Sequence, residues 1–174
     1  MNDFYPRPSV LSLDTLKFGE ELQPYSTSGH IESGKLNSAD IQCHSVMLDQ
    51  GTGKQSCQLL RNSSASISVT FICNVNTTQV KSVVHGMIPG IPNIFLHLLS
   101  HDNEKGIRFL GVKEDACLNN NVDHCNIKAG DTVQYTNTLP VDEDYPKLRL
   151  TVRWEIRDDK NRDLVCILLP TEII

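Results

Sequence analysis

The 174-residue chain predicts an all-β protein, an antiparallel sandwich, on three observations. Leu148, Leu150, Val152, Trp154 and Ile156 alternate with Arg149, Thr151, Arg153, Glu155 and Arg157, a period of two that gives an extended strand one greasy and one charged face. Ile67, Val69, Phe71, Cys73 and Val75 alternate with Ser66, Ser68, Thr70 and Ile72 in the same sense. Short segments like these, separated by turn residues and without a convincing helix, fit two packed antiparallel sheets.

The elements follow in order. Residues 1–13 carry Pro6 and Pro8 and no period, which predicts a flexible leader ahead of one domain over residues 14–174. A short strand is expected from Thr15 to Phe18 and a second around Leu36 to Cys43. The strand from Ser66 to Val75 points Cys73 to the core side. Val80 to Ile88 reads as another, ended by Pro89-Gly90-Ile91-Pro92, where two prolines remove backbone donors. Asn93 to Glu114 fits less well. Phe95, Leu96, Leu98, Leu99, Ile107, Phe109 and Leu110 are too apolar for a solvent loop, yet His101 to Gly106 is a turn. A short hairpin or helical turn over something apolar, a loop tucked against the sandwich and a functional flap all remain open for it. Thr132 to Leu139 is the next strand, with Val133, Tyr135 and Asn137 on one side. The closing hairpin turns at Asp158-Asp159-Lys160-Asn161, whose short polar side chains bond their own backbone, and returns through Leu164 to Leu169, closed by Pro170. This rhythm is immunoglobulin-like.

A formal net charge of -5 with no basic cluster argues against a nucleic-acid partner, because phosphate binding needs concentrated Lys and Arg. No apolar run is long enough to cross a bilayer, and Met1 to Arg7 lack the features of an export signal, so an exported form has already lost its signal. Among the six cysteines, Cys43 with Cys57 and Cys117 with Cys125 bracket loops with little core of their own. A short disulfide ring of this kind contributes roughly 2 to 3 kcal/mol. Cys73 and Cys166 remain; they either bridge the sheets or stay as buried thiols, and geometry decides. The sequons at Asn62 and Asn76 flank one strand, as glycosylated loop sites should, and agree with the cysteines in pointing to export.

Nothing in the chain carries catalysis. There is no nucleophile elbow, phosphate loop or HExxH arrangement. His97 and His101 are four apart without a third ligand, so no metal site is predicted. His85 lies in a strand, where a hydrogen-bonded structural role is the default. Asp142-Glu143-Asp144 and Asp158-Asp159 are read as solvated turn carboxylates rather than acid–base pairs. No enzyme and no cofactor are expected.

The order of the features is more specific than any one of them. Cys57-Gln58-Leu59, a sequon, Ser68-Val69-Thr70-Phe71, Val83-Val84-His85-Gly86, Gly90-Ile91-Pro92 and the Cys117 to Cys125 ring come first. Leu139-Pro140-Val141, Tyr145-Pro146, Val152-Arg153-Trp154-Glu155, Asp158-Asp159-Lys160-Asn161 and Cys166 follow. From about residue 16 to 174 the chain resembles the Niemann-Pick type C2 family of ML lipid-recognition domains. The resemblance implies an immunoglobulin-like sandwich of about seven strands, with a lipid pocket between the sheets, in a secreted or lysosomal protein without catalytic activity. It places Phe95, Val141 and Tyr145 at the pocket mouth and Trp154 in the core or pocket wall. Phe71, Val133, Tyr135 and Leu150 line the inner faces beside them. The family's first cysteine, expected soon after Phe18, is absent, so the resemblance leaves Cys73 as the replacement partner for Cys166. The family's proline-rich mouth loop is replaced here by the apolar segment after Pro92.

The expected function is therefore carriage of a sterol, fatty acid or other lipid, with membrane or receptor contact during ligand transfer. The alternative is an extracellular interaction or immune-recognition module that binds a receptor or a microbial lipid.

Overall fold

A computed structural model describes residues 10–11, 17–18, 35–42, 45–48, 55–90, 106–109 and 111–174. These residues form eleven strands and no helix: β1 (Val10–Leu11), β2 (Lys17–Phe18), β3 (Lys35–Gln42), β4 (Ser45–Leu48), β5 (Gln55–Leu59), β6 (Ser63–Ile72), β7 (Lys81–Met87), β8 (Ile107–Arg108), β9 (Thr132–Val141), β10 (Arg149–Arg157) and β11 (Asp163–Ile173). One sheet runs β4-β5-β11-β10-β7-β8 with β1 beside β11; the other runs β2-β3-β6-β9. The all-β sandwich is thus as expected, with three of its strands only two residues long.

The period-two patterns explain which face each strand buries. Along β9, Val133, Tyr135, Asn137, Leu139 and Val141 are buried and the residues between them exposed. On its partner β6, Ala65, Ile67, Val69 and Phe71 are buried, and Phe71 lies opposite Val133. Leu150, Val152, Trp154 and Ile156 of β10 face them from the other sheet and join the same core. Fully burying each aliphatic side chain of this size is worth about 1.5 to 3 kcal/mol, so the register is set by where the apolar set must go.

Several expectations need revision. Val10 and Leu11, assigned to the leader, pair in parallel with Cys166 and Ile167 on the flank of β11 that β10 leaves open. Unpaired strand edges hold donors and acceptors that recruit such partners. Pro170 does not end its strand. β11 keeps register with β10 through Thr151 opposite Pro170 and on to Glu172, and its other neighbour changes from β1 to β5 beyond the proline. A missing donor there falls in the gap between two neighbours. β9 continues through Pro140 to Val141 because it is the edge of its sheet, where proline is tolerated. Within the Asn93 to Glu114 segment, the described part supplies β8, antiparallel to β7 at His85 and Gly86. Residues 93–105, with His97 and His101, lie outside the described residues.

Cys117 and Cys125 are joined, their Cα atoms 5.8 Å apart, and Asp115 Oδ1 accepts from the N–H groups of Cys117 and Leu118 to shape that ring. Cys57 is disulfide-bonded; Cys43, its expected partner, lies outside the described residues. The bridge between Cys73 and Cys166 does not form: both are buried free thiols. Alternation is the reason. Cys73 continues the inward set of β6, whereas Cys166 is opposite Glu155 on the face of β11 turned away from the core, one position out of phase with Ile167 opposite Trp154. Burial pushes both thiols up from their ordinary range, so each stays protonated at neutral pH.

Candidate functional site

At one end of the sandwich, the finish of β9 meets the start of β10, Gly86 of β7 and the segment after β8. Val141 is only 2 % exposed, so whatever passes it must displace neighbouring side chains. Tyr145, half-buried beyond the exposed Asp142 to Asp144 turn, packs edge-on against Phe109 with ring centroids 5.7 Å apart. Gly86 makes room for this apolar group: a Cβ there would stand 2.8 Å from Leu150 Cδ1 and 3.1 Å from Phe109 Cε2. Gly111 does the same on the rim, where a Cβ would fall 2.2 Å from Pro140 Cγ. Both glycines are close-approach positions, and neither has a positive φ. The structure therefore brings Tyr145, Phe109 and Leu150 together, with Val141 buried in the same core. Phe95, expected at this mouth, lies outside the described residues. Phe109 had been noted only as one apolar residue of an unassigned segment; its lack of periodic neighbours hid its place.

Further in, the two sheets are joined by polar side chains. Tyr135 Oη donates to Ser82 Oγ at 2.8 Å and accepts from Trp154 Nε1 at 2.9 Å and from Asn137 Nδ2 at 2.8 Å. Asn137 Nδ2 also reaches Ser82 Oγ at 3.2 Å, while its Oδ1 accepts from Thr138 N–H, which fixes the way round of the amide. Tyr135 and Asn137 belong to β9, Ser82 to β7 and Trp154 to β10, so these bonds cross the sandwich. Burial holds the Tyr135 hydroxyl above its usual range, with the three partners pulling the other way. A buried polar group left unsatisfied costs about 1 to 3 kcal/mol, so the set is stable only as a whole. Ser82 and Asn137 were not among the expected site residues. A serine and an asparagine at inward positions of apolar strands were the available signal. Phe71 and Val133 lie on the far side of this network from Val141, two positions along β9 beyond Tyr135.

The outer face of the larger sheet carries the charge. Glu155, fully buried, is held by Arg153 Nη2 at 2.5 Å and Arg157 Nη2 at 2.9 Å, with His85 Nδ1 at 3.8 Å. Asp163 pairs with Arg157 Nε at 3.0 Å and stands 3.7 Å from Arg153 Nη2. Ligand atoms of Glu155, Asp163 and Cys166 lie within 4.8 Å of one another, but the two guanidinium groups already neutralise the carboxylates and repel a cation. Asp158 also departs from its expectation as a solvated carboxylate. It is fully buried and accepts from Arg162 Nε at 2.7 Å and from the Lys160 and Arg162 N–H groups, so it builds the hairpin turn.

Burial and the charge of Glu155 push Asp163 from 3.8 up to about 6, against the pull of the arginines. The folded chain therefore holds a proton that the unfolded chain releases between those values. Stability from this group is full below the lower value and is lost as pH rises through about 6. Thermal unfolding should accordingly occur higher at pH 5 than at pH 7, by the equivalent of about 1 to 2 kcal/mol once solvent screening is allowed for. Asp163→Asn should remove that difference; an unchanged pH profile in the variant would assign it elsewhere.

Asn62 and Asn76 of the two sequons are exposed, on either side of β6. Among the described residues, no helix is long and apolar enough to cross a membrane.

Comparison with known proteins accounts for this arrangement. The family model described as the ML domain matches residues 32–173. The NPC intracellular cholesterol transporter 2 of Bos taurus is 36 % identical over 119 residues, 68 % of this chain and 69 % of that protein. Its homolog a from Drosophila melanogaster is 33 % identical over 122 residues, 70 % and 72 % of the two chains. The ecdysteroid-regulated 16 kDa protein of Manduca sexta is 37 % identical over 117 residues, 67 % and 70 %. A crystal structure of a Niemann-Pick type C2 protein from Japanese carpenter ant superposes with a TM-score of 0.61 at 21 % identity, over 82 % of this chain and 94 % of that one, which speaks to the fold alone. With both sheets of the sandwich matched, this chain belongs to the ML-domain family.

Proposed function

We propose that the chain is a non-enzymatic lipid carrier that holds a sterol, fatty acid or similar apolar molecule between its two sheets. The observation that carries this reading is its likeness, over most of its length, to proteins named as intracellular cholesterol transporters. The apolar group of Val141, Tyr145, Leu150 and Phe109 at one end of the sandwich supports it, because it offers an entry with few directional polar contacts. Burying about 300 Å2 of apolar ligand surface at about 25 cal/mol per Å2 supplies about 7 kcal/mol, the scale of a dissociation constant of about 10 μM before ordering costs are subtracted. The Cys117–Cys125 bond and the exposed sequons support a secreted or lysosomal setting.

The test is displacement of a fluorescent sterol and a fluorescent fatty acid from delipidated protein taken from the medium of secreting eukaryotic cells. Saturable binding of at least one is expected; failure of both, with no lipid extractable from the native protein, contradicts carriage. Failure to reach the medium contradicts export. Val141→Phe should weaken the bound probe by tenfold or more while the far-ultraviolet spectrum stays unchanged, because the larger ring fills the entry that the valine leaves. Unchanged affinity would move the entrance away from Val141.

A further inference from the structure

We propose that the Tyr135–Ser82–Asn137–Trp154 network is a stop that closes the inner end of the lipid site and so sets the longest ligand the protein accepts. The inference rests on the carrier reading above. Its own ground is geometry. A hydrogen bond of 2.8 Å between Tyr135 on one sheet and Ser82 on the other leaves no room for a hydrocarbon chain between them. Trp154 Nε1, 2.9 Å from the same hydroxyl, ties the adjacent strand of the larger sheet to the same point.

The position of the tie converts into a length. Counting inward from Val141, the buried residues of β9 are Leu139, Asn137 and Tyr135. At about 3.3 Å per residue, a guest entering beside Val141 meets the network after about 13 to 20 Å of strand. Phe71 and Val133, though apolar and inward, lie past that point and serve as core rather than ligand wall. A longer guest must break the tie, leaving the Trp154 and Asn137 N–H groups buried without acceptors. Each extra methylene gains too little to offset several such losses at once.

Binding of a series of saturated fatty acids, lengthened two carbons at a time, reads this directly. For the wild-type protein, affinity should rise about fourfold per methylene up to a limiting length and then level off or fall. Tyr135→Leu removes the hub and its volume, and should carry the limit to longer chains by at least one step of the series. Ser82→Ala is the second variant, less disruptive to the fold because it deletes one small acceptor; it should raise affinity for the first chain beyond the wild-type limit by about tenfold relative to the chain at the limit. A limit unmoved in both variants overturns the stop, as does a wild-type series with no limit. The two readings fail differently: no binding of any chain, with no bound sterol either, removes the carrier function itself, whereas binding with an unmoved limit removes only the stop.

Discussion

Replacing Glu155 by alanine should destabilise the fold by about 3 to 5 kcal/mol, the usual consequence of taking one partner out of a buried ion cluster. Glu155 is completely buried between Arg153 and Arg157, whose side chains are 26 % and 13 % exposed. Without the carboxylate, Asp163 is, among the described residues, the anion left to the two guanidinium groups. In a urea titration the expected shift is a fall in midpoint of roughly 2 M. Glu155→Gln, which keeps shape and one acceptor but not the charge, should fall between the two. Although burial alone would raise its pKa, the neighbouring His85 imidazole and the charges of Arg157 and Arg153 hold Glu155 below its ordinary 4.5. Its contribution is thus present above that value and lost as pH falls through the lowered one, the opposite sense to Asp163. A loss under 1 kcal/mol would mean that the arginines reach solvent and the cluster behaves as a set of surface pairs.

The second large effect is expected at Trp154. Its indole is 4 % exposed between the sheets, and truncation to alanine should cost about 3 to 5 kcal/mol through the hole it leaves. Trp154→Phe should cost about 1 to 2 kcal/mol, since the ring volume is largely kept and Tyr135 Oη loses one donor while retaining Asn137 and Ser82. Because this is the chain's single tryptophan, unfolding is followed by circular dichroism rather than intrinsic fluorescence. Equal costs for the two variants would show that the hydrogen bond, not the packing, holds the indole. A negligible cost for alanine would show that the sheets close over the gap.

These two residues mark the boundary between what could be read in advance and what could not. Trp154 was legible as inward because it falls on the same parity as Val152 and Ile156, and burial follows parity in a strand with one wet face. Glu155 falls on the wet parity and is nevertheless buried, because the outer face of β10 is covered there. Parity gives the face of a residue but not what lies over it. The same limit explains Asp158, whose burial depends on the turn wrapping around its own carboxylate.

The mouth was legible in part. Leu139-Pro140-Val141 and Tyr145-Pro146 stand out as motifs, and Val141 and Tyr145 both pack into the core at that end of the sandwich. Phe109 completes that group from a stretch with no period, so nothing local assigned it. Ser82 and Tyr135 are separated by 53 residues, and their bond exists only because β7 and β9 lie in opposite sheets at the same height. Gly86 reads as a strand glycine; that it admits Leu150 and Phe109 is known only once three elements converge.

What the sequence determined by itself was the seven strands β2, β3, β6, β7, β9, β10 and β11, the buried face of β6, β9 and β10, and the resemblance to the family, because alternation and turn chemistry act over a few residues and survive without knowledge of neighbours; β1, β4, β5 and β8 are too short or too polar to show a period. The pairing of Cys117 with Cys125 belongs to the same class, since eight residues of chain keep the two thiols close. Tertiary structure alone decided that Cys73 and Cys166 stay apart, that a polar tie crosses the core at Tyr135, and that a charged cluster is buried on the outer face. The first two depend on the register between strands far apart in the chain, and register is settled by the packing of all the inward side chains at once; the charged cluster forms within the β10–β11 hairpin, and its burial depends on the rest of the fold.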